Sequence, residues 1–410
     1  MPPGALHAFA GYGIELEYMI VERDTLAVKP IADTLLQAAG ARDGEADRGA
    51  FGWSNEIVLH VVELKNTRPA PALELLAAGF QAEVTAINAR LADFGARLMP
   101  TGAHPWMKPA TETRLWPNAQ AEIYRAYDRI FGASTHGQAN LQSMHLNLPF
   151  SGDAEFARLH AAVRLALPIL PALAASSPIV EGAPSGYLDA RMAAYATAVR
   201  QVPSVIGQLI PDTSTSPAHY RKEVLEPMYL DVAPLDPEGV LQHEWLNARG
   251  AIPRFDRSAL EIRVIDVQEY PHADLTVAAA TAAVIHALYH GEWSPLAAQQ
   301  AISTDRLAKL LSACIRDADQ AVIDDADYLH LLGLSDRQYQ AGDLWRHLVT
   351  RTGLNRSTVW AGPLGVILER GPLARRIVQA LGEDRSTARL QQVYRELCDC
   401  LETGRMFEDG

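Results

Sequence analysis

Four stretches of the chain alternate apolar and polar residues with a period of two, the signature of strands that bury one face. In Gly11–Tyr18 and on to Met19, Tyr12, Ile14, Leu16 and Tyr18 alternate with Gly13, Glu15, Glu17 and Met19. In 51–65, Ile57, Leu59, Val61, Glu63 and Lys65 share one parity and Glu56, Val58, His60 and Val62 the other. In 142–150, His145 and Asn147 oppose Met144, Leu146 and Leu148, and in 259–267, Glu261 and Arg263 project with Ala259, Ile265 and Val267. Each strand therefore predicts a polar pair on one sheet face: Glu15/Glu17, Glu63/Lys65, His145/Asn147 and Glu261/Arg263. Glu56 is of the wrong parity and reaches that face only if Ser54-Asn55 turns or the strand bulges.

The helical period places amphipathic segments between and after these strands. A short helix is expected over 31–39, a Gly-rich loop over 41–50, and a helix over 69–94 with Leu75, Ala78, Val84, Ile87 and Leu91 as its buried stripe. Arg97–Pro100 reads as a short strand, 122–131 and 153–175 as helices, and a further helix is expected around Arg191. Pro203–Pro237 reads as an irregular loop, long enough to serve as a cover carrying His219, Tyr220, Arg221 and Lys222. From Asp274 on, helices are expected over 274–290, 304–323, 341–352, 370–381 and 386–403. The reading is α+β: a catalytic antiparallel-sheet body over 1–290 and a helical C-terminal layer over 291–410, packed as one structural domain.

Composition narrows what such a face can do. The 410 residues are 48% hydrophobic and 21% charged, a globular balance. The formal charge of −13 argues against nucleic acid or an anionic membrane as partner. The three cysteines, Cys314, Cys398 and Cys400, form neither a disulfide framework nor a zinc spacing. The N-terminal MPPGALHAF carries no basic and apolar leader pattern, and no apolar run reaches about 18 residues, so a cytoplasmic protein is expected.

A Glu-x-Glu pair is ordinarily a solvated sheet face, and a lone His in an apolar strand is ordinarily structural. Four such pairs on adjacent strands, about 4.8 Å apart, change that balance by gathering the groups into one cluster about 15 Å across. Several carboxylates and one imidazole suit Mg²⁺ or Mn²⁺ better than a hydrolase triad. Divalent ions on an acidic floor, with arginine at the rim, is how a nucleoside triphosphate is held. It also reconciles an acidic protein with an anionic substrate. The chain has no P-loop and no Rossmann fingerprint to do this otherwise.

Gly13-Ile14-Glu15-Leu16-Glu17, Val62-Glu63-Leu64, Gly102-Ala103-His104-Pro105, Met144-His145-Leu146-Asn147, Ser177-Pro178 through Gly182 to Arg191, and Leu260-Glu261-Ile262-Arg263-Val264-Ile265-Asp266 stand in an ordered set. Over roughly residues 10 to 290 this set resembles the glutamate–cysteine ligase family, in its bacterial carboxylate–amine ligase branch. The resemblance implies a glutamine-synthetase-type fold: a curved, mainly antiparallel sheet with helices behind it and the site in its concave face. It implies ATP-dependent amide formation through an acyl phosphate, with Mg²⁺ or Mn²⁺ as cofactor and small amino-acid and amine substrates. By the same resemblance Glu15, Glu17, Glu63, His145 and Glu261 are metal ligands, with Glu56 an additional acidic one. Arg263 meets the transferring phosphate and, with Glu63, is an expected catalytic residue. Lys65, Asn147, Arg191 and Arg249 are expected near ATP or substrate.

The family commonly has Thr where Asn66 stands, an aromatic pair where Ile179-Val180 stands, and Ser where Asp189 stands. Glutamate and cysteine are therefore only the default substrates, a different amino acid, amine or peptide being the alternative. The resemblance also implies a homo-oligomer, for which the apolar helices after 274 offer a face, core packing being their blander use. Two rival readings compete: a metal-dependent hydrolase that uses the floor to activate water, and a non-catalytic sensor.

Overall fold

The computed structural model describes residues 5–335 and 338–408. Residues 1–4, part of the stretch read above for a leader, lie outside it. Its centre is an antiparallel sheet built on β1 (Gly13–Glu22), with β2 (Glu45–Asp47), β3 (Phe51–Asn55), β4 (Val61–Asn66), β5 (Ala96–Met99), β6 (Ser143–Pro149), β7 (Ala251–Arg254) and β8 (Ala259–Asp266). The order across the sheet is β2-β3-β4-β1-β6-β8-β7, with β5 pairing the far half of β1. Every pairing in this sheet is antiparallel.

The period-two apolar residues do what their spacing requires. Ile14, Leu16, Tyr18, Val62, Leu64, Met144, Leu146, Leu260 and Ile262 are all buried in one core. Behind them pack α2 (Ala77–Ala92), α4 (Asp153–Ala166) and α6 (Pro271–Tyr289), contributing Phe80, Val84, Ile87, Phe156 and Leu275. The same core takes in Leu307, Leu344, Trp345 and Trp360 from the C-terminal helices. Among the described residues no helix is long and apolar enough to cross a membrane.

Several local expectations are corrected. The single extended stretch over 51–65 is a hairpin, β3 and β4, reversed by residues 56–60. Within the expected 41–50 loop, Glu45–Asp47 adds an edge strand. The 69–94 helix starts late, as a 3₁₀ turn at Leu73–Leu75 and then α2. That change of helical type shifts its phase, so Leu75 is 67% exposed while Leu73, Leu76 and Phe80 are buried instead. Pro168 and Pro171 break 153–175 after Ala166, because proline cannot donate the helical bond. The 203–237 segment is largely helical: Pro217–Tyr220, a π-turn over Arg221–Leu225, and Glu226–Val232 run on continuously. Asn66, where the family's Thr was expected, staples β1 to β4. Its Oδ1 accepts from the Ile14 N–H at 2.7 Å and its Nδ2 donates to the Tyr12 carbonyl at 3.1 Å.

Candidate active site

Register brings the polar pairs together. Glu15 stands opposite Lys65 on one side and His145 on the other, Glu17 opposite Glu63, and Asn147 opposite Glu261. In an antiparallel ladder directly opposed residues share a face, so seven side chains from four strands meet by pairing alone. The strand reversal after Asn55 carries Glu56 to the same corner, which resolves its parity. One carboxylate oxygen from each of Glu17, Glu56 and Glu63 lies within 4.8 Å of the others, and the same holds for ligand atoms of Glu15, Glu63 and His145.

β8 departs from simple alternation. Its pairing to β6 slips between Ile262 and Ile265, so that Arg263 and Val264 stand against one partner residue. This β-bulge inverts the faces beyond it. Ile265, expected on the polar face, turns to the back opposite Met144, and Asp266 turns to the front opposite Ser143.

Glu15, Glu17, Glu56, Glu63, Lys65, His145, Glu261 and Arg263 line a cavity of about 520 Å³, whereas Asn147 and Asp266 stand behind its lining. Its floor is the acidic sheet face, and one wall is α3 (Ala121–Phe131), which supplies Ile123, Tyr124 and Tyr127. The lining also includes Trp245, Arg254 and Arg257, the last 3.7 Å from Glu15, and α5 (Ala190–Tyr195) adds Arg191 and Tyr195. Sequence reasoning missed Ser143, Tyr195, Trp245, Arg254 and Arg257. Ser143 shares the parity of His145 along β6, and Arg254 shares the face of Ile252 and Glu261 along β7, which are readable signals; the others come from loops and short helices.

The charges are sorted by position. His145 donates to Glu15 Oε2 at 2.8 Å and to Ser143 Oγ at 2.9 Å, and Ser143 passes its own proton to Glu17 Oε2 at 2.8 Å. Burial disfavours the imidazolium, but the bond to Glu15 and the charges of Glu17, Glu15 and Glu261 outweigh it and raise His145 to about 9. For Glu15, burial is overcome by His145, Arg257 and Arg263, and its carboxyl falls to about 2. The other corner has the opposite character. Burial and then the charge of Glu15 push Glu63 up to about 7, despite Lys65, Ser54 and His145. Burial, with Glu17, Glu63 and Glu15, lifts Glu56 well above the carboxylate range. Carboxylates crowded this closely repel one another more than Lys65 and His145 offset, and hard oxygen donors of this kind fit a divalent cation.

Not every expected ligand is equally free. Glu261 is buried with Oε1 taking Arg263 Nε at 2.6 Å and Oε2 taking Arg254 at 2.9 Å. Lys65 pairs with Glu45 at 2.8 Å and lies 3.6 Å from Glu63. Asn147 donates to Glu15 Oε1 at 3.3 Å. Arg249 does not line the cavity: it donates to the Ser204 carbonyl and to Asn247 Oδ1, each at 3.1 Å, and pins the neighbouring loop. Nor do described residues of 203–237 line it. Arg221 lies 4.0 Å over the Phe255 ring, outside the acidic floor.

Because a metal must displace the proton that Glu63 holds near neutrality, Mg²⁺ affinity is expected to fall as pH drops below about 7. Calorimetric Mg²⁺ titrations at pH 6, 7 and 8 check this. The expected outcome is weakening of up to about tenfold per unit on the acid side and proton release on binding; pH-independent affinity contradicts it.

Comparison with known proteins follows the same lines. Residues 12–395 match the sequence model of glutamate–cysteine ligase family 2. A protein of unassigned activity from Archaeoglobus fulgidus is 36% identical over 278 residues, which cover 67% of this chain and 74% of that one. A putative glutamate–cysteine ligase 2-3 of Rubrobacter xylanophilus is 31% identical over 172 residues, 42% of this chain and 44% of the relative. In fold, the chain resembles the crystal structure of a Francisella tularensis glutamate–cysteine ligase in complex with AMP. The TM-score is 0.57 at 15% identity, with 97% of this chain and 89% of that one covered.

Proposed function

The chain belongs to glutamate–cysteine ligase family 2, a family of carboxylate–amine ligases, and from that premise we propose ATP-dependent amide formation through an acyl phosphate. The observation that carries the reading is the meeting of Glu15, Glu17, Glu56, Glu63 and His145 on one cavity floor, with Arg257 3.7 Å from Glu15 and with Arg254 and Arg263 paired to Glu261 in the same cavity. An acidic corner and a basic rim in one cavity suit a metal-borne triphosphate and an anionic acyl donor side by side.

A carboxylate is a poor electrophile, and phosphorylation gives it a leaving group. Glu17, Glu56 and Glu63 would hold one divalent ion, and Glu15 and His145 with Glu63 a second, His145 first giving up its proton. Bound there, such ions neutralise the triphosphate and the charge that develops on transfer. Arg263 is fixed by Glu261 and Tyr195, sits beside Glu15 and lines the trough where phosphoryl charge would grow. Tyr124, Tyr127 and Ile123 form a drier wall that limits water, which would hydrolyse an acyl phosphate. The substrates are small amino acids or amines.

The test is a phosphate-release screen of amino acids and amines, singly and in pairs, with ATP and Mg²⁺. Release that requires both a carboxylate and an amine supports the ligase. Turnover that needs no nucleotide supports a hydrolase and overturns the proposal.

A further inference from the structure

Asp266 is fully buried three residues beyond Arg263, and only the β8 bulge gives it the front face of the sheet. Its Oδ1 accepts from Arg191 Nε. Its Oδ2 accepts from the Ser176 N–H and from Ser177 Oγ, both at 2.8 Å. Ser177 Oγ in turn accepts from the Arg191 N–H at 3.1 Å, so both ends of Arg191 are tied to one carboxylate. Each terminal nitrogen of Arg191 donates one N–H to the Arg263 carbonyl at 3.3 Å, which leaves each a second N–H, and Arg191 lines the cavity although only 4% of it is exposed. Gly102 makes room for this arrangement, since a Cβ there would lie 2.3 Å from Asp266 Cγ. Asp189, buried beside the pair, caps α5 by accepting from the Met192 N–H at 2.9 Å.

A guanidinium presents five N–H groups in a planar fork, and fixing Nε fixes the direction of the rest. A buried arginine that needed only neutralising would have no reason to line the cavity. We propose that Asp266 is a positioning residue, which orients Arg191 so that its free N–H groups receive an anionic group of a substrate, either a carboxylate or a phosphate. This rests on the ligase reading for the identity of the anion, not for the orientation. Pre-set donors cost less to order on binding than mobile ones. Asp266→Asn keeps the shape but replaces one of the two acceptor oxygens with a donor amide, which must face either Arg191 Nε or the Ser176 and Ser177 donors, and so frees Arg191 to rotate.

The test uses the full chain and two probes, L-glutamate and inorganic phosphate, each titrated into the wild type, Asp266→Asn, Ser177→Ala, Arg191→Lys and the Asp266→Asn/Arg191→Lys double variant. The ¹⁵N-resolved Nε–H signal of Arg191 is followed in parallel. The expected result is a slowly exchanging Nε–H in the wild type that is lost in Asp266→Asn and weakened in Ser177→Ala. Affinity for one anion should fall tenfold or more in Asp266→Asn and in Arg191→Lys, with no further loss in the double variant. A response to glutamate assigns the fork to a carboxylate, a response to phosphate to a phosphoryl group. Additive losses, a persistent Nε–H in Asp266→Asn, or binding of neither probe to the wild type overturns the proposal. Should Asp266→Asn not fold, Ser177→Ala decides it by the same signal and the same affinities. The ligase reading fails separately, in the absence of ATP turnover, which leaves these readouts untouched.

Discussion

Arg263→Ala is expected to lower kcat by about 10³-fold or more, the range for a guanidinium that stabilises charge on a transferring phosphoryl group. Burial works against the cation, but Glu261 and then Tyr195 hold Arg263 firmly charged, its pKa raised above the usual arginine value. In the variant Glu261 keeps Arg254 on its other oxygen at 2.9 Å, so the carboxylate is not stranded and the fold survives. The loss should therefore appear in kcat, with the circular-dichroism melting temperature lowered by only a few degrees. Near-normal turnover in a folded Arg263→Ala variant would remove the arginine from the chemistry.

The second large effect is on acid stability and comes from outside the site. His60, His104 and His160 are each at most 2% exposed. Burial lowers His60 to about 4, against a bond to the Ala139 carbonyl. Burial also lowers His104 and His160 to about 3, with the neighbouring charge of Arg164 adding to the effect on His160. In the unfolded chain each imidazole takes a proton near 6.5, so the unfolded state binds more protons below that pH. Stability is then fully present above about 6.5 and is lost as pH falls toward 3 to 4. At about 1.4 kcal/mol per unit, each histidine represents about 3 to 5 kcal/mol, and the three together rival the whole stability of an ordinary domain. Unfolding between pH 6 and 4 is expected, followed by circular dichroism. His160 has both ring nitrogens without a partner and stacks on Phe156, so His160→Phe should move the acid midpoint down by several tenths of a pH unit. An unchanged midpoint would show that His160 titrates normally.

The sheet and most of its polar face are legible in the chain because a period of two is a local property. Glu15, Glu17, Glu63, His145 and Glu261 follow from alternation plus side-by-side pairing, and their register in the structure places them in one trough. What alternation cannot carry is a change of count. The reversal over 56–60 recruits Glu56, and the bulge after Ile262 brings Asp266 to the front; both are local breaks in the alternation that no window average records. The 3₁₀ start of α2 moved the buried stripe off Leu75 for the same reason. The extra cations were invisible for another: Arg257 and Trp245 lie on connections placed by tertiary contacts, so no periodicity points at them. Arg249, expected near substrate from its place in the chain, is drawn away by the Ser204 carbonyl and Asn247. The 203–237 segment reads as a loop from its prolines, but Pro217 sits at a helix start, where proline is tolerated, and Pro227 follows the π-turn Arg221–Leu225 within the helical run.

The central claim is that the acidic corner holds a triphosphate through divalent metal, and thermal stabilisation by ATP with and without Mg²⁺ tests it most directly. A ligand that binds only the folded state raises the melting temperature in proportion to its occupancy. The account predicts a rise with ATP and Mg²⁺ together, little with ATP in chelator, and loss of the rise in Glu63→Gln. Equal stabilisation by ATP in chelator, or an undiminished rise in Glu63→Gln, would contradict it.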